Sequence, residues 1–187
     1  MDENRVDIII HIDENLSDSS LDFRGDFTPH LIASKVKSAN PESEVYYSIP
    51  SAYDGILKSE KNLIIRESAD DVNYWKGIFA KTSSPHIAVI KGDSPFFDTD
   101  VLNEMSELHT KYLAEFTYSE NLPEGFTCEI ISGELMNQLP EIKEKSLPLN
   151  KVIKSNINQF DVELYYREPD IRDKRISFRL SNLRDKK

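Results

Sequence analysis

The stretch Val6–Ile12, VDIIIHI, constrains the fold of this chain more than any other feature. Its run of β-branched apolar residues is typical of a strand covered on both faces, which places it at the centre of a sheet. Neighbouring parallel strands are joined by crossover connections that usually contain a helix. The rest of the sequence should therefore alternate between strands and amphipathic helices.

That alternation continues through the first 112 residues. Helices are predicted to begin at three capping sites, at Thr28-Pro29, at Ser68 with Asp71, and at Asp98 or Thr99. Between them lie three further strand-like runs, at 44–49, 62–67 and 86–90. The pattern predicts βαβ crossovers and a mostly parallel sheet between helices, with ligands beyond the carboxyl ends of the strands.

The second half of the chain changes character. Short strands are predicted at 114–118 and 126–132, helices near 134–139 and 150–157, and strands that alternate like antiparallel ones at 160–166 and 175–180. The whole is an α/β chain with a three-layer αβα, Rossmann-like architecture, a mixed sheet of about seven strands and a small antiparallel extension. Val6–Ile12 and His86–Ile90 should be central neighbours in that sheet.

Length, charge and cysteine content exclude several classes of protein. The chain has 187 residues, which suits a single domain spanning 1–187, and a net charge of -10 disfavours nucleic-acid partners. No apolar run approaches the roughly 18 residues needed to cross a bilayer, and the acidic start MDENRVD lacks the positive charge of a signal peptide. We therefore expect a cytoplasmic protein without a membrane partner. The single Cys128 cannot form an internal disulfide.

The most informative local stretch is IAVIKGDSPFFDTDVLNEM, residues 87–105. A buried-type strand ends in Gly-Asp-Ser-Pro, and a capped helix begins a few residues later. Asp93 should therefore lie at the carboxyl edge of the sheet, where this architecture binds ligands. An aspartate before a helix is also common as a turn residue that accepts hydrogen bonds from backbone N–H groups, here those of Ser94 to Phe97.

Two motifs together resemble a known family. KGDSPFFDTDVLNEM, followed by ENLPEGFTCEIISGELM, is similar to the paired motifs of nucleotidyltransferases of the glycosyltransferase-A type, above all the cytidylyltransferases that activate sialic-acid-like and spore-coat polysaccharide sugars. The resemblance implies catalytic roles for Asp93 and Glu129, with Mg²⁺ bound by Asp93 and Glu129 facing the sugar. It also implies that Gly125 lets the backbone pass close to the nucleotide or sugar.

The sequence departs from that family at two places. Its members hold the triphosphate on a loop containing glycine, Arg and Lys after the first strand, but here residues 13–26 are acidic and offer only Arg24 and Gly25 as cofactor-binding candidates. Near the end, the family's second metal ligand, an aspartate, is replaced by Arg179 if RISFR occupies that place. A guanidinium cannot ligate Mg²⁺. Arg179 or Arg175 could instead pair with Asp93.

These departures favour a degenerate, non-catalytic nucleotidyltransferase-like domain that binds a nucleotide, a nucleotide-sugar, a sugar or a protein partner. The alternatives are an active Mg²⁺-dependent cytidylyltransferase that uses CTP, and a glycosyltransferase of the same fold. Residues 168–187 further resemble the end of the front domain of some spirochaete radical-SAM/SPASM proteins. Residues 167–187 also carry eight Lys or Arg against four Asp or Glu, which is typical of a solvated basic end and also compatible with a chain that continues. Taking this together with the second resemblance, we expect a longer protein with a C-terminal domain.

Overall fold

The computed structural model describes residues 4–67, 72–139, 148–170 and 176–181, which form a three-layer α/β domain. Its strands are β1 (Val6–His11), β2 (Asp22–Phe23), β3 (Asp26–Phe27), β4 (Val45–Pro50), β5 (Leu63–Arg66), β6 (His86–Lys91), β7 (Phe116–Ser119), β8 (Glu129–Ser132) and β9 (Val162–Tyr165). Its α-helices are α1 (Thr28–Ala39), α2 (Val72–Phe79), α3 (Thr99–Lys111), α4 (Gly133–Gln138) and α5 (Leu149–Ser155).

Seven strands form one mixed sheet in the order β5-β4-β1-β6-β8-β7-β9. β1 pairs in parallel with both β4 and β6, and β4 pairs in parallel with β5. β8 runs antiparallel to its two neighbours, β6 and β7. The predicted central position of VDIIIHI beside HIAVI is confirmed, as is the mostly parallel mixed sheet.

Helices cover both faces of this sheet, which explains why β1 is apolar on both sides. α1 and α3 pack on one face around Ile8, Ile10 and Ile90. On the other face, α2, α4 and α5 pack around Ile9 and Ile87. All six residues of β1 are buried. The parallel pairing of β1 with β6 places the carboxyl ends of these two buried strands side by side.

The predicted cap of α3 is present, but that of α1 is not. The Asp98 side chain caps α3 by accepting from the backbone N–H groups of Asp100 and Val101. α1 begins at Thr28 with its proline in the first turn. Its N-cap is Phe27, which makes no side-chain capping bond, and among the described residues the buried Thr28 Oγ1 has no hydrogen-bond partner. The predicted cap formed by Ser68 and Asp71 lies outside the described residues. Among the residues described, no helix is both long and apolar enough to cross a membrane.

The structure corrects two details of the predicted extension and one of the loop after β1. β9 pairs in parallel with β7, so its alternating pattern reflects its place at the end of the sheet and not an antiparallel partner. Residues 176–181 form only an isolated bridge between Ser177 and Glu124 and no regular strand, and Arg175 lies outside the described residues. The acidic loop after β1 contains an unpredicted hairpin, β2 with β3.

Candidate functional site

The carboxyl ends of β1 and β6 bring two aspartates together. His11 and Lys91 are register partners on these parallel strands, and Asp13 and Asp93 each follow two residues later. The N–H of Gly92 donates to the carbonyl of His11 at 2.8 Å, which keeps the two chain segments together past the end of the ladder. The two carboxylates therefore leave the sheet at the same point of its edge.

Asp93 is fully buried. Its Oδ1 accepts from Arg179 Nε at 2.9 Å, and its Oδ2 accepts from the backbone N–H of Ser181 at 3.1 Å. The expected pairing of Asp93 with Arg179 is thus present. The expected bonds from the turn to the carboxylate are not what the structure shows, because Phe97 N donates to the carbonyl of Ser94 and the carboxylate binds residues 179–181 instead.

Asp13 completes a bridge through the same arginine. Arg179 donates through a terminal guanidinium nitrogen to Asp13 Oδ2, while Lys91 Nζ donates to Oδ1 at 2.8 Å. His11 Nε2 lies 3.3 Å from the same oxygen. Burial alone would raise the pKa of the Asp13 carboxyl, but the hydrogen bond from His11 and the charge of Lys91 hold it well below its usual range. Asp13 is therefore ionised at neutral pH.

Arg179 lies between two carboxylates. Burial would lower the pKa of its guanidinium, but the hydrogen bond and charge of Asp93, together with Asp13, raise it above its ordinary value. Only 18% of its side chain is exposed. Two anions and one fixed cation make a charge-assisted network, whose bonds are stronger than those between neutral groups.

His11 forms the floor beside this network. Its ring stacks on Trp75 of α2 with centroids 5.3 Å apart. Burial, followed by the positive charge of Lys91, lowers the pKa of His11 to about 3. The neutral ring therefore directs Nε2 towards Asp13, and its buried Nδ1 has no hydrogen-bond partner among the described residues.

A cavity of about 610 Å³ opens above these groups, between the end of the sheet and α5. Gly125, Glu129 and Arg179 all line it, so the structure brings three predicted site residues together. Asp93 is not part of its lining. Burial raises the pKa of the Glu129 carboxyl, opposed by the charge of Lys154 and by the hydrogen bond that Asn150 Nδ2 donates at 3.4 Å. Protonation of Glu129 is therefore easier than that of an exposed glutamate.

Arg24 and Gly25 lie elsewhere. Both have positive φ angles, 57° and 89°, and form the exposed turn of the β2–β3 hairpin. The Arg24 guanidinium lies over the Phe23 ring, 5.2 Å from its centroid. Neither residue lines the cavity, so the two predicted cofactor-binding residues of the first loop are separated from Gly125.

Sequence reasoning missed His11, Lys91 and Asp13 as members of the site. In the sequence, Asp13 stands out only as one member of the acidic stretch 13–26. A usable signal exists in the sequence, because the two central strands end in His11-x-Asp13 and Lys91-x-Asp93. Parallel neighbours with matching ends bring matching positions together at one edge of the sheet.

The residues at this edge do not fit a divalent metal ion. A magnesium site needs oxygen ligands, and the oxygens of Asp93 and Asp13 are engaged by Arg179, Lys91 and the N–H of Ser181. No cluster of three or more His, Cys, Asp or Glu side chains suited to a metal is found among residues 4–67, 72–139, 148–170 and 176–181. No catalytic step through a metal follows from this arrangement.

Comparison with known proteins supports the fold. No protein-family model and no curated protein matches the chain. A cytidylyltransferase from Leptospira borgpetersenii serovar Hardjo-bovis matches with a TM-score of 0.69 and 20% identity over 89% of this chain and 77% of its own. A CMP:2-keto-3-deoxy-manno-octonic acid synthetase complexed with CTP matches with a TM-score of 0.61 and 10% identity, over 89% of this chain and 92% of its own.

A third solved structure is a protein from Mycobacterium tuberculosis H37Rv complexed with manganese, with a TM-score of 0.61 and 10% identity over 86% of this chain and 87% of its own. The sheet order and these neighbours define an α/β domain with a nucleotidyltransferase-like fold. Within that class, the neighbours include cytidylyltransferases. At 10–20% identity the likeness describes the fold, and the chemistry has to be argued from the residues.

Proposed function

We propose that this chain is a nucleotidyltransferase-like domain that binds a nucleotide or a nucleotide-sugar and does not catalyse metal-dependent transfer. The observation that carries the proposal is the state of Asp93. This residue matches the metal-binding aspartate of the resembled family, yet it is fully buried and bonded to Arg179 and Ser181. An enzyme that neutralises a triphosphate with Mg²⁺ needs that carboxylate open to the ion.

The cavity supports the binding half of the proposal. It lies beyond the carboxyl ends of the strands, where this architecture holds its ligands. Its volume of about 610 Å³ falls within the range of small-molecule sites. One of the fold neighbours is complexed with CTP.

The charge of the cavity argues against a triphosphate. Among the residues that the structure describes, four cationic side chains line it, Lys91, Lys151, Lys154 and Arg179, against five acidic ones, Asp13, Glu14, Glu120, Glu124 and Glu129. Lys91 and Arg179 are already paired with carboxylates. Among the described lining residues, Lys151 and Lys154 on α5 remain to meet a phosphate, which suits a ligand with fewer negative charges than a nucleotide triphosphate with its metal.

An active cytidylyltransferase is the second candidate, and Glu129 is the observation that favours it. This residue matches the acidic, sugar-facing position of the resembled family, and its place in the cavity lining supports that role. The glycosyltransferase alternative has no comparable support in the described residues.

The test is calorimetric titration of the protein with CMP, CTP and a CMP-sugar, each with and without Mg²⁺. We expect binding of CMP or the CMP-sugar whose Kd changes less than about twofold on adding Mg²⁺, and no release of pyrophosphate from CTP in the presence of sugar acids. Lys154→Gln should weaken binding several-fold. Lys58→Gln changes an exposed lysine that does not line the cavity and serves as the matched control. Mg²⁺-dependent pyrophosphate release that is lost in Glu129→Gln would establish the enzyme instead.

A further inference from the structure

The bridge between Asp13, Arg179 and Asp93 has the charge balance of a filled cation site. Arg179 contacts both carboxylates, and Lys91 contacts the second oxygen of Asp13. Two anions face two cations, so this cluster is neutral before any ion arrives. A divalent ion placed here would meet two fixed positive charges and would have to break the arginine's bonds to reach an oxygen.

The backbone holds Arg179 in this position. Phe178 N donates to the carbonyl of Glu124 at 2.8 Å, and Leu180 N donates to the carbonyl of Asp93 at 2.9 Å. The peptide units on both sides of the arginine are therefore tied to the sheet edge. A rotation of the side chain alone would leave the buried Asp93 carboxylate without its counter-charge, which is costly.

The fit of this segment against the site is close. Gly125 has a φ of 84°, and a Cβ at that position would lie 2.8 Å from the carbonyl carbon of Phe178. The Phe178 ring packs against the rings of Phe96 and Phe126, with centroids 5.5 and 6.0 Å apart. Residues 176–181 thus pack against Gly125, Phe96 and Phe126, and this packing holds the Arg179 guanidinium in the site.

We propose that Arg179 acts as the resident cation of this site and is the residue that excludes divalent metal ions from Asp13 and Asp93. The inference concerns these side chains alone and holds whether or not the cavity binds a nucleotide. The proposal predicts that Arg179→Asp creates a metal site. Its three carboxylates would be Asp13, Asp93 and the introduced side chain, and carboxylate oxygens are ligands that Mn²⁺ and Mg²⁺ accept.

The experiment measures Mn²⁺ binding by the loss of the free-ion electron paramagnetic resonance signal, in the absence of nucleotide. For wild type we expect no stoichiometric site below about 1 mM. Arg179→Asp should bind one Mn²⁺ at least about tenfold more tightly, and adding Asp93→Asn should abolish that gain. Lys58→Asp makes the same change of charge at an exposed position and should leave Mn²⁺ binding as in wild type.

Two results would overturn the proposal: a wild-type protein that binds one Mn²⁺ as tightly as Arg179→Asp, or a folded Arg179→Asp that gains no affinity. Should Arg179→Asp be unfolded by circular dichroism without metal, its refolding in millimolar Mn²⁺ supports the proposal, because the ion then replaces the missing cation. Failure of Mn²⁺ to refold it overturns the proposal. Since no nucleotide is present, none of these outcomes depends on the ligand proposed for the cavity.

Discussion

Two aspartates are fully buried at opposite ends of the central strands, and each lies beside an arginine. Asp7, near the start of β1, accepts from the backbone N–H groups of Glu44 and Ser83, each at 3.1 Å, and lies 3.2 Å from Arg5 Nε. Asp93, just after β6, has Arg179 and a single backbone N–H. The pairing of a buried aspartate with an arginine is therefore not by itself a functional signature.

The two pairs differ in where their partners come from. Arg5 is two residues from Asp7 in sequence, whereas 86 residues separate Asp93 from Arg179. Asp7 faces no second carboxylate across its arginine in the described contacts, while Arg179 also contacts Asp13 beside a cavity. At the carboxyl ends of the strands, an arginine distant in sequence is shared between two carboxylates. At the amino ends, the buried aspartate is held by an arginine two residues away and by backbone N–H groups.

The largest expected effect tests the remote pair. Arg179→Met leaves the Asp93 carboxylate buried without its counter-charge, so we expect a loss of about 3–5 kcal/mol in the free energy of unfolding. Asp93→Asn should also destabilise, and the double variant should lose less than the sum, because each single change strands the same partner. Urea denaturation of the four proteins measures this. Additive losses would mean that the two side chains do not interact.

A second prediction concerns the effect of acidic pH on stability through two buried histidines, His11 and His109. Burial lowers the pKa of His11, and likewise that of His109, which bonds Thr117 and His86, to about 3 in each case. The unfolded chain, with histidine pKa values near 6.5, then binds more protons than the folded one between pH 6.5 and 3. The free energy of unfolding should be highest above pH 6.5 and should decrease as the pH falls, by up to about 2 kcal/mol per histidine at pH 5.

The measurement is the urea midpoint from pH 7.5 to 5, for wild type, His11→Phe and His109→Phe. Each variant should remove one histidine's share of the pH dependence. The carboxyl of Asp13 does not interfere, because its lowered pKa costs stability only when the pH falls below the usual aspartate range. A wild-type pH dependence equal to that of both variants would show that neither histidine is held neutral.

The smallest expected effect tests the local pair. Arg5→Met removes a guanidinium that is 29% exposed, while Asp7 keeps its bonds from Glu44, Ser83 N and Ser83 Oγ. We expect a loss of at most about 1 kcal/mol, since a partly solvated ion pair contributes little. Thermal denaturation beside Arg179→Met gives the comparison directly. A loss at Arg5 equal to that at Arg179 would remove the distinction between the two ends of the strands.

Much of the fold could be predicted because burial leaves a clear pattern. The apolar runs of β1 and β6 and the Asp98 cap of α3 are local signals, and the structure confirms them. The hairpin of β2 and β3 was missed because its strands have two residues each, too few for any periodicity. The orientation of β9 depends on which edge of β7 is free, a property that alternation along the sequence does not encode.

The site could be predicted in part. Asp93, Gly125, Glu129 and Arg179 were found through the resemblance, and the structure brings Gly125, Glu129 and Arg179 to one cavity while Asp93 lies beneath it bound to Arg179. The sequence does not single out Asp13 from the acidic stretch 13–26, because its pairing with Lys91 and Arg179 depends on the register of two strands and on the path of a distant segment. The expected continuation into a longer protein stays a prediction.

The span of the Asp13–Arg179 contact also carries a consequence for the order of folding. The two residues are 166 positions apart, so the chain entropy of closing this loop is among the largest the domain has to overcome. Contacts of such long range tend to form after the nucleus, which here can be built from the pairing of β1 with β4 and β6. Arg179 would then form its contacts after the folding transition state. Its contacts would slow unfolding and leave the folding rate almost unchanged.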